Sequence, residues 1–298
     1  KVTEKNTYLL NPETVEEMTR LTRQGSLITQ AIGLFPEGID LSHLPSIKPD
    51  ELRAPRLLDI GCGPGDWALD VAARYPHVQI TGIDISQLMV SYATTEAANR
   101  ELFNVDFQVM DALEPLPFAD ESFDVINIRV AVGFVPREQW SVLFAECKRV
   151  VRRGGLLIST EGEGGVTTYQ NPATAQALHW LAQALWVRGL GFWDGISSAH
   201  GIHVMQPQFF AEAGFKIIHR SVCYVDASYT SEQYQGWRDH PLVTLQQIEP
   251  LVVNLLHVSP EQFHAVLQEC MREAHRETFR AHSSFQSIVG QKPRATGK

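Results

Sequence analysis

Between Arg56 and Leu157, short apolar runs alternate with amphipathic helical stretches, and this alternation restricts the fold more than any other feature of the chain. "RLLDI", "VQITGID", "VDFQVMD", "SFDVINIRV" and "GLLIST" read as strands. "WALDVAARY", "SQLMVSYATTEAANR" and "PREQWSVLFAECKRVV" read as helices; in the last, Trp140, Leu143, Phe144, Cys147 and Val151 recur at helical spacing. Ser86 is expected to cap the second of these helices. Pro136 is expected at the start of the third and Gly154 at its left-handed C-terminal cap. Strands separated by helices pair in parallel through right-handed crossovers, with helices on both faces. The expected class is α/β with a doubly wound, mostly parallel sheet.

The second half changes character. "NPATAQALHWLAQALWVRGL" reads as a helix with Asn171 as its cap and Pro172 in its first turn. A Gly-rich stretch "GFWDGISSAHG" follows, then a helix in "QPQFFAEAGF" ending at Gly214, then a strand in "KIIHRSVCYVDA". Ser259, Pro260 and Gln262 have the spacing of a capping box, and "SSFQSIVGQK" reads as a last strand. The irregular stretch 160–206 is the expected substrate lid, because binding groups concentrate on connections held by a rigid scaffold.

Bulk properties narrow the class. A chain of 298 residues, 44% of them hydrophobic, can bury a sizeable core. A formal charge of −9 argues against a nucleic-acid partner, since phosphate binding draws on a basic face. No apolar run has the length to cross a bilayer, and "KVTEKNTYLL" has no apolar core of a secretory signal. Cys62, Cys147, Cys223 and Cys270 form no C-x-x-C pair, so a reducing, cytoplasmic compartment is expected. Cys147 and Cys270 fall on apolar helix faces and are expected to be buried.

Chemistry enters at "LLDIGCGPGDW". Gly61, Gly63 and Gly65 make G-x-G-x-G, a turn that brings backbone close to a ligand but does not identify it. Three acids add information. Asp59 ends the first strand; a carboxylate there repels a pyrophosphate and suits an ammonium. Asp84 ends the second strand, where its two oxygens can accept both hydroxyls of a ribose. Asp111 ends the third, where it can accept from an adenine amine while Ala112 donates its amide to a ring nitrogen. Asp59 and the short glycine spacing argue against a nicotinamide oxidoreductase.

Ammonium, ribose and adenine in one crevice describe S-adenosylmethionine (SAM). "LLDIGCGPG", "GIDIS", "VMDALEPLPFADESFDVI" and "KRVVRRGGLLIST" resemble, in order, the motifs of class I SAM-dependent methyltransferases over residues 56 to 160. The resemblance implies a Rossmann-like seven-stranded sheet of order 3-2-1-4-5-7-6 with the last strand antiparallel. It implies a cofactor lying against Tyr8, Asp59, Gly61, Cys62, Gly63, Asp84, Ile85, Asp111, Ala112, Leu113 and Arg129. "YLLNPETVEEMTRLTRQGSLITQAIG" is similar to the helical N-terminal cover of small-molecule methyltransferases of the domain 11/25 kind. It is similar in particular to the fungal secondary-metabolism regulator type, in which Tyr8 would close over the cofactor and Arg129 would line the active-site mouth. The expected organisation is a cover over residues 1–50 and a methyltransferase domain over 51–298. That domain carries a helical lid at about 165–212 and a helical insertion at about 230–282, which completes the pocket or forms a homodimer interface.

A sulfonium methyl carbon is already electrophilic, so such a protein must mainly align donor and acceptor in line and exclude water. A hydroxyl or carbon acid also needs a base, usually histidine. His200 and His203 in "SSAHGIHVMQ" are the first candidates, with His240 a third; His179 reads as a packing residue. No third ligand completes a metal site around His200 and His203, so none is expected. Tyr169, Trp180, Trp186, Phe192 and Trp193 suggest an aromatic lid over a small planar or apolar acceptor, although Trp180 and Trp186 also sit at helix-core positions. The competing expectation is a SAM-binding cyclase or regulatory module of the same fold that transfers no methyl group.

Overall fold

The computed structural model describes residues 7–41, 54–232, 237 and 243–294. Seven strands form one sheet in the order β3-β2-β1-β4-β5-β7-β6. β1 (Arg56–Ile60), β2 (Gln79–Asp84), β3 (Val105–Val109), β4 (Phe123–Arg129) and β5 (Val151–Thr167) run parallel. β7 (Ala281–Gln291) lies antiparallel between β5 and β6 (Lys216–Asp226). This is the order, and the antiparallel last strand, that the sequence resemblance implied.

The apolar runs are continuous because both faces of the central strands are covered. Successive side chains point to opposite faces. Leu58, Ile60, Ile126, Ile128 and Leu157 pack on one side with Trp140, Phe144 and Phe210. Leu57, Val125, Leu156 and Ile158 pack on the other with Trp67, Val71 and Ala93. The first group belongs with helices α4 (Trp140–Val150) and α6 (Ile202–Glu212), the second with α2 (Asp66–Arg74) and α3 (Gln87–Asn99). Helix α1 (Val15–Ile32) precedes the sheet. A further apolar cluster, with Trp180, Val252, Phe263 and Cys270, joins α5 (Pro172–Val187), α7 (Glu249–Leu255) and α8 (Pro260–Ala274). Cys147 and Cys270 are buried, and no helix among the described residues is long and apolar enough to cross a membrane.

Local caps follow the sequence in two places. Ser86 Oγ accepts from the Met89 amide at 3.2 Å, and Ser259 Oγ from the Gln262 amide at 3.2 Å. Three expectations are corrected. Helix α4 starts at Trp140, not at Pro136, which instead bridges to Leu190. The Arg137 amide is drawn away to Gly189 O at 2.9 Å, and its guanidinium donates to the carbonyls of Trp186, Leu190 and Gly191, so this segment is pinned to the end of α5. Gly154 is left-handed at φ +80°, but inside β5, where its amide donates to Lys292 O. Asn171 occupies the cap position of α5 without capping it: its Nδ2 donates to Thr167 and Thr168, and its Oδ1 accepts from no helix amide.

Candidate active site

β1, β2 and β3 end side by side, and the loops that follow them line one cavity of about 330 Å³. Open parallel sheets place ligands at this edge, outside the carboxyl ends of the strands. The chain turns out of β1 through Gly61, Gly63 and Gly65, all at positive φ. A Cβ on Gly63 would project into space, with only Leu21 Cδ1 near it at 3.9 Å, so its backbone stands open to a ligand. A Cβ on Gly65 would strike Ala93 and the Phe107 ring at 2.8 and 2.9 Å, which is a packing requirement.

The three strand-end acids all line this cavity. Asp84 accepts from the Gly63 amide through one oxygen and from the Ser86 amide through the other, both at 2.9 Å. Each oxygen keeps a free lone pair for a further donor. Asp111 accepts from the Leu113 amide at 2.9 Å through Oδ1, leaving Oδ2 for an amine. Asp59 is 4% exposed and accepts from Asn127 Nδ2 at 2.8 Å. Burial pushes its carboxyl up to about 7, against the Asn127 hydrogen bond and the attraction of Arg129. Burial also raises Asp84, opposed by its backbone amides. In Asp59 and Asp84 the desolvation outweighs what the protein partners offset.

Tyr8, Gly61, Cys62, Gly63, Ile85, Ala112, Leu113 and Arg129 line the same cavity, so the structure brings together every residue that the sequence assigned to the cofactor. The Tyr8 hydroxyl donates to Glu17 and accepts from Arg20, and Arg20 clasps the Glu17 carboxylate through two nitrogens at 2.6 and 2.7 Å. This network ties the segment before α1 to its first two turns. Arg129 donates to Thr29 Oγ1 at 3.1 Å, while its buried Nη2 has no partner. Burial lowers its pKa to about 10, against the pull of Asp59.

The candidate bases separate. His200 lines the cavity; neither ring nitrogen makes a hydrogen bond, although both are buried. Burial lowers its pKa, opposed by Glu163 and the nearby Gly162 backbone. His203 is absent from the cavity lining: its Nε2 sits against Glu161 O at 2.8 Å and the Gln286 amide at 3.2 Å. His203 lies in the first turn of α6, where the β5–β7 backbone occupies its ring, while His200 precedes the helix. His240 lies outside the described residues. His179 packs edge-on to Trp193. Among the described residues no group of His, Cys, Asp or Glu is arranged to hold a metal ion.

The aromatic-lid expectation is corrected. None of Tyr169, Trp180, Trp186, Phe192 and Trp193 lines the cavity. Tyr169 is exposed, Trp180 is buried on Phe263, Trp186 lies under the Arg137 guanidinium at 3.7 Å, and Phe192 packs on the Phe209 ring. Leu178, Leu181, Leu185, Phe134, Trp237 and Phe285 take their place. The leucines mark the stripe of α5 adjacent to the one buried on α8, a distinction that five aromatic letters do not reveal.

Several cavity-shaping residues carried no recognised sequence signal. Glu161, fully buried, accepts from the amides of Ala131 and Val132 at 3.0 Å, and burial pushes its carboxyl up to about 8. It holds the turn after β4, where Val130 adopts a left-handed φ of +56°, costly for a β-branched residue and typical of backbone forced into place at a site. Glu163 accepts from the amides of His200, Gly201 and His203, fixing the start of α6. From α1, Leu21, Gln24 and Ile28 close the cavity.

This sheet order and its row of strand-end acids define the class I SAM-dependent methyltransferase architecture. Residues 57–155 match the Methyltransferase domain family. Over 111 residues it is 38% identical to the demethylmenaquinone methyltransferase of Thermotoga maritima, a match covering 37% of this chain and 45% of that protein. The chain thus spans less than half the length of this curated relative. The fold is similar to that of the [4+2]-cyclase SpnF, with TM-score 0.50, 22% identity, and 92% of this chain and 82% of that one covered. It is also similar to a Haemonchus contortus phosphoethanolamine N-methyltransferase solved with phosphomonomethylethanolamine and S-adenosylhomocysteine: TM-score 0.51, 18% identity, 96% and 61% covered.

Proposed function

We propose that the chain binds SAM and moves its methyl group in line to an oxygen, nitrogen or carbon atom of a small, mainly apolar molecule. The observation that carries this reading is the convergence of Asp59, Asp84 and Asp111 on one cavity beside an open glycine backbone. Asp59 suits the amino group of the cofactor's methionine moiety, Asp84 the ribose hydroxyls, and Asp111 with the Ala112 amide the adenine edge. The cofactor supplies an electrophilic methyl carbon; the protein positions the acceptor and excludes water. His200, free at both ring nitrogens, is placed to take a proton from an acidic acceptor. Arg129 offers its unpartnered Nη2 to an oxygen. The apolar remainder of the wall suits the rest of a hydrophobic acceptor.

Calorimetry should show binding of SAM and S-adenosylhomocysteine in the micromolar range. Asp84→Ala should weaken it at least tenfold while the far-ultraviolet circular dichroism stays unchanged. Absence of binding in the parent protein would remove this reading. Release of S-adenosylhomocysteine on a panel of phenols, indoles and amines separates methyl transfer from a cyclase or binding role. His200→Ala should slow turnover on hydroxyl acceptors about a hundredfold or more without changing cofactor affinity.

A further inference from the structure

The main cavity does not end at Leu178 and Leu181. A second hollow of about 80 Å³ lies against these side chains and shares Gly165, Trp237 and Ser283 with the first. Its own wall is made by Ala177 of α5, Leu245, Cys270 and Ala274 of α8, and Phe279. The Thr174 hydroxyl at its edge donates to Glu273 at 2.6 Å, so its hydrogen is already engaged. At the far side, Val166, Ala281 and His282 also line a surface depression.

Protein interiors are close-packed, and apolar voids of this kind stay dry and take apolar guests. The space equals about five to eight water-sized groups, the bulk of a short alkyl chain or one to two isoprenoid units. Among the described residues, the only side chains with unpartnered buried polar atoms on the main-cavity wall, Arg129 and His200, provide the opposite chemistry. Resting on the methyltransferase reading above, we propose that the acceptor is an amphiphile. Its oxygen-bearing head sits at Arg129 and His200, and its hydrocarbon tail passes Leu178 and Leu181 into the second hollow. Small alanines at positions 177 and 274 keep that hollow open.

The test is a homologous series of 4-n-alkylphenols, ethyl to dodecyl, titrated into the protein with and without saturating S-adenosylhomocysteine. Affinity should rise about three- to fivefold per methylene over the first five to eight carbons, then level off where the chain fills the hollow or reaches solvent. A geranylphenol arm separates branched from straight tails: equal or tighter binding than the octyl compound assigns the space to isoprenoids. Ala177→Leu and Ala274→Leu should each abolish the gain from the longer chains and leave ethylphenol and S-adenosylhomocysteine binding unchanged. Affinity independent of chain length, or length dependence that survives both substitutions, overturns the proposal. If one variant fails to fold, the other and the parent series still decide. Failure of the nucleoside to bind would overturn the cofactor reading alone, since the length dependence without it is measured separately.

Discussion

Asp59 concentrates the electrostatics of the site. It is buried, receives a neutral donor from Asn127, and holds its proton up to about 7. An ammonium placed beside it favours the ionised form, so cofactor binding below that pH must expel a proton. Affinity for S-adenosylhomocysteine should be flat from pH 7.5 to 8 and weaken as pH falls below 7, by up to tenfold per unit. Burial raises Asp84 as well, which adds slope of the same sign. Asp59→Asn should bind more weakly and with a shallower pH dependence; calorimetry across pH 5.5–8 reads both. The ligand-free protein follows the opposite course. An unfolded aspartate ionises near ~4 and the folded one near about 7, so the contribution of Asp59 to stability is greatest below pH 4 and declines as pH rises between those values. At this scale the three acids were legible because each falls at the end of an apolar strand, where the fold fixes its direction. The choice between His200 and His203 was not legible, because it depends on how α6 is set against β5 and β7.

At the scale of elements, carboxylates from distant segments do what local capping residues usually do. Glu273 of α8 accepts from the amides of Ala173 and Thr174 at 3.0 and 2.8 Å and from the Thr174 hydroxyl, closing the first turn of α5 from 100 residues away. Glu161 serves the turn after β4, and Glu163 the start of α6. Glu273→Ala would strand one buried and one part-buried amide, and urea unfolding should show a loss of about 2–4 kcal/mol. Glu273→Gln, which keeps an acceptor, should lose less. Strand and helix identity could be read in advance from periodicity, and Ser86 and Ser259 from their spacing. The cap of α5 could not, because Asn171 has the right residue type and the true acceptor is set by tertiary packing. The same limit explains the lid: aromatic composition is visible in a sequence, but which stripe of α5 faces the cavity is decided by α8.

The whole molecule closes its cavity from three directions: strand-end loops below, α1 across one side, and α5 with the β7 wall at Ser283 and Phe285 on another. A ligand that touches all of these should couple them. At a hundredfold excess over its Kd, S-adenosylhomocysteine should stabilise the fold by about 2.7 kcal/mol, a rise of several degrees in Tm by calorimetry. Tyr8→Phe should reduce that rise by breaking the link to Glu17 and Arg20. Sheet order was legible only through the resemblance of its motifs, since no local pattern says that β7 lies between β5 and β6. That insertion has a consequence for biosynthesis. β5 ends at Thr167 and its neighbour begins at Ala281, so a growing chain carries an unpaired β5 edge while the intervening segment is made. At ordinary elongation rates this lasts on the order of ten seconds. Over that interval the ribosome-bound chain has an open sheet and an unfinished acceptor wall, and it is then that a nascent-chain chaperone has most to cover.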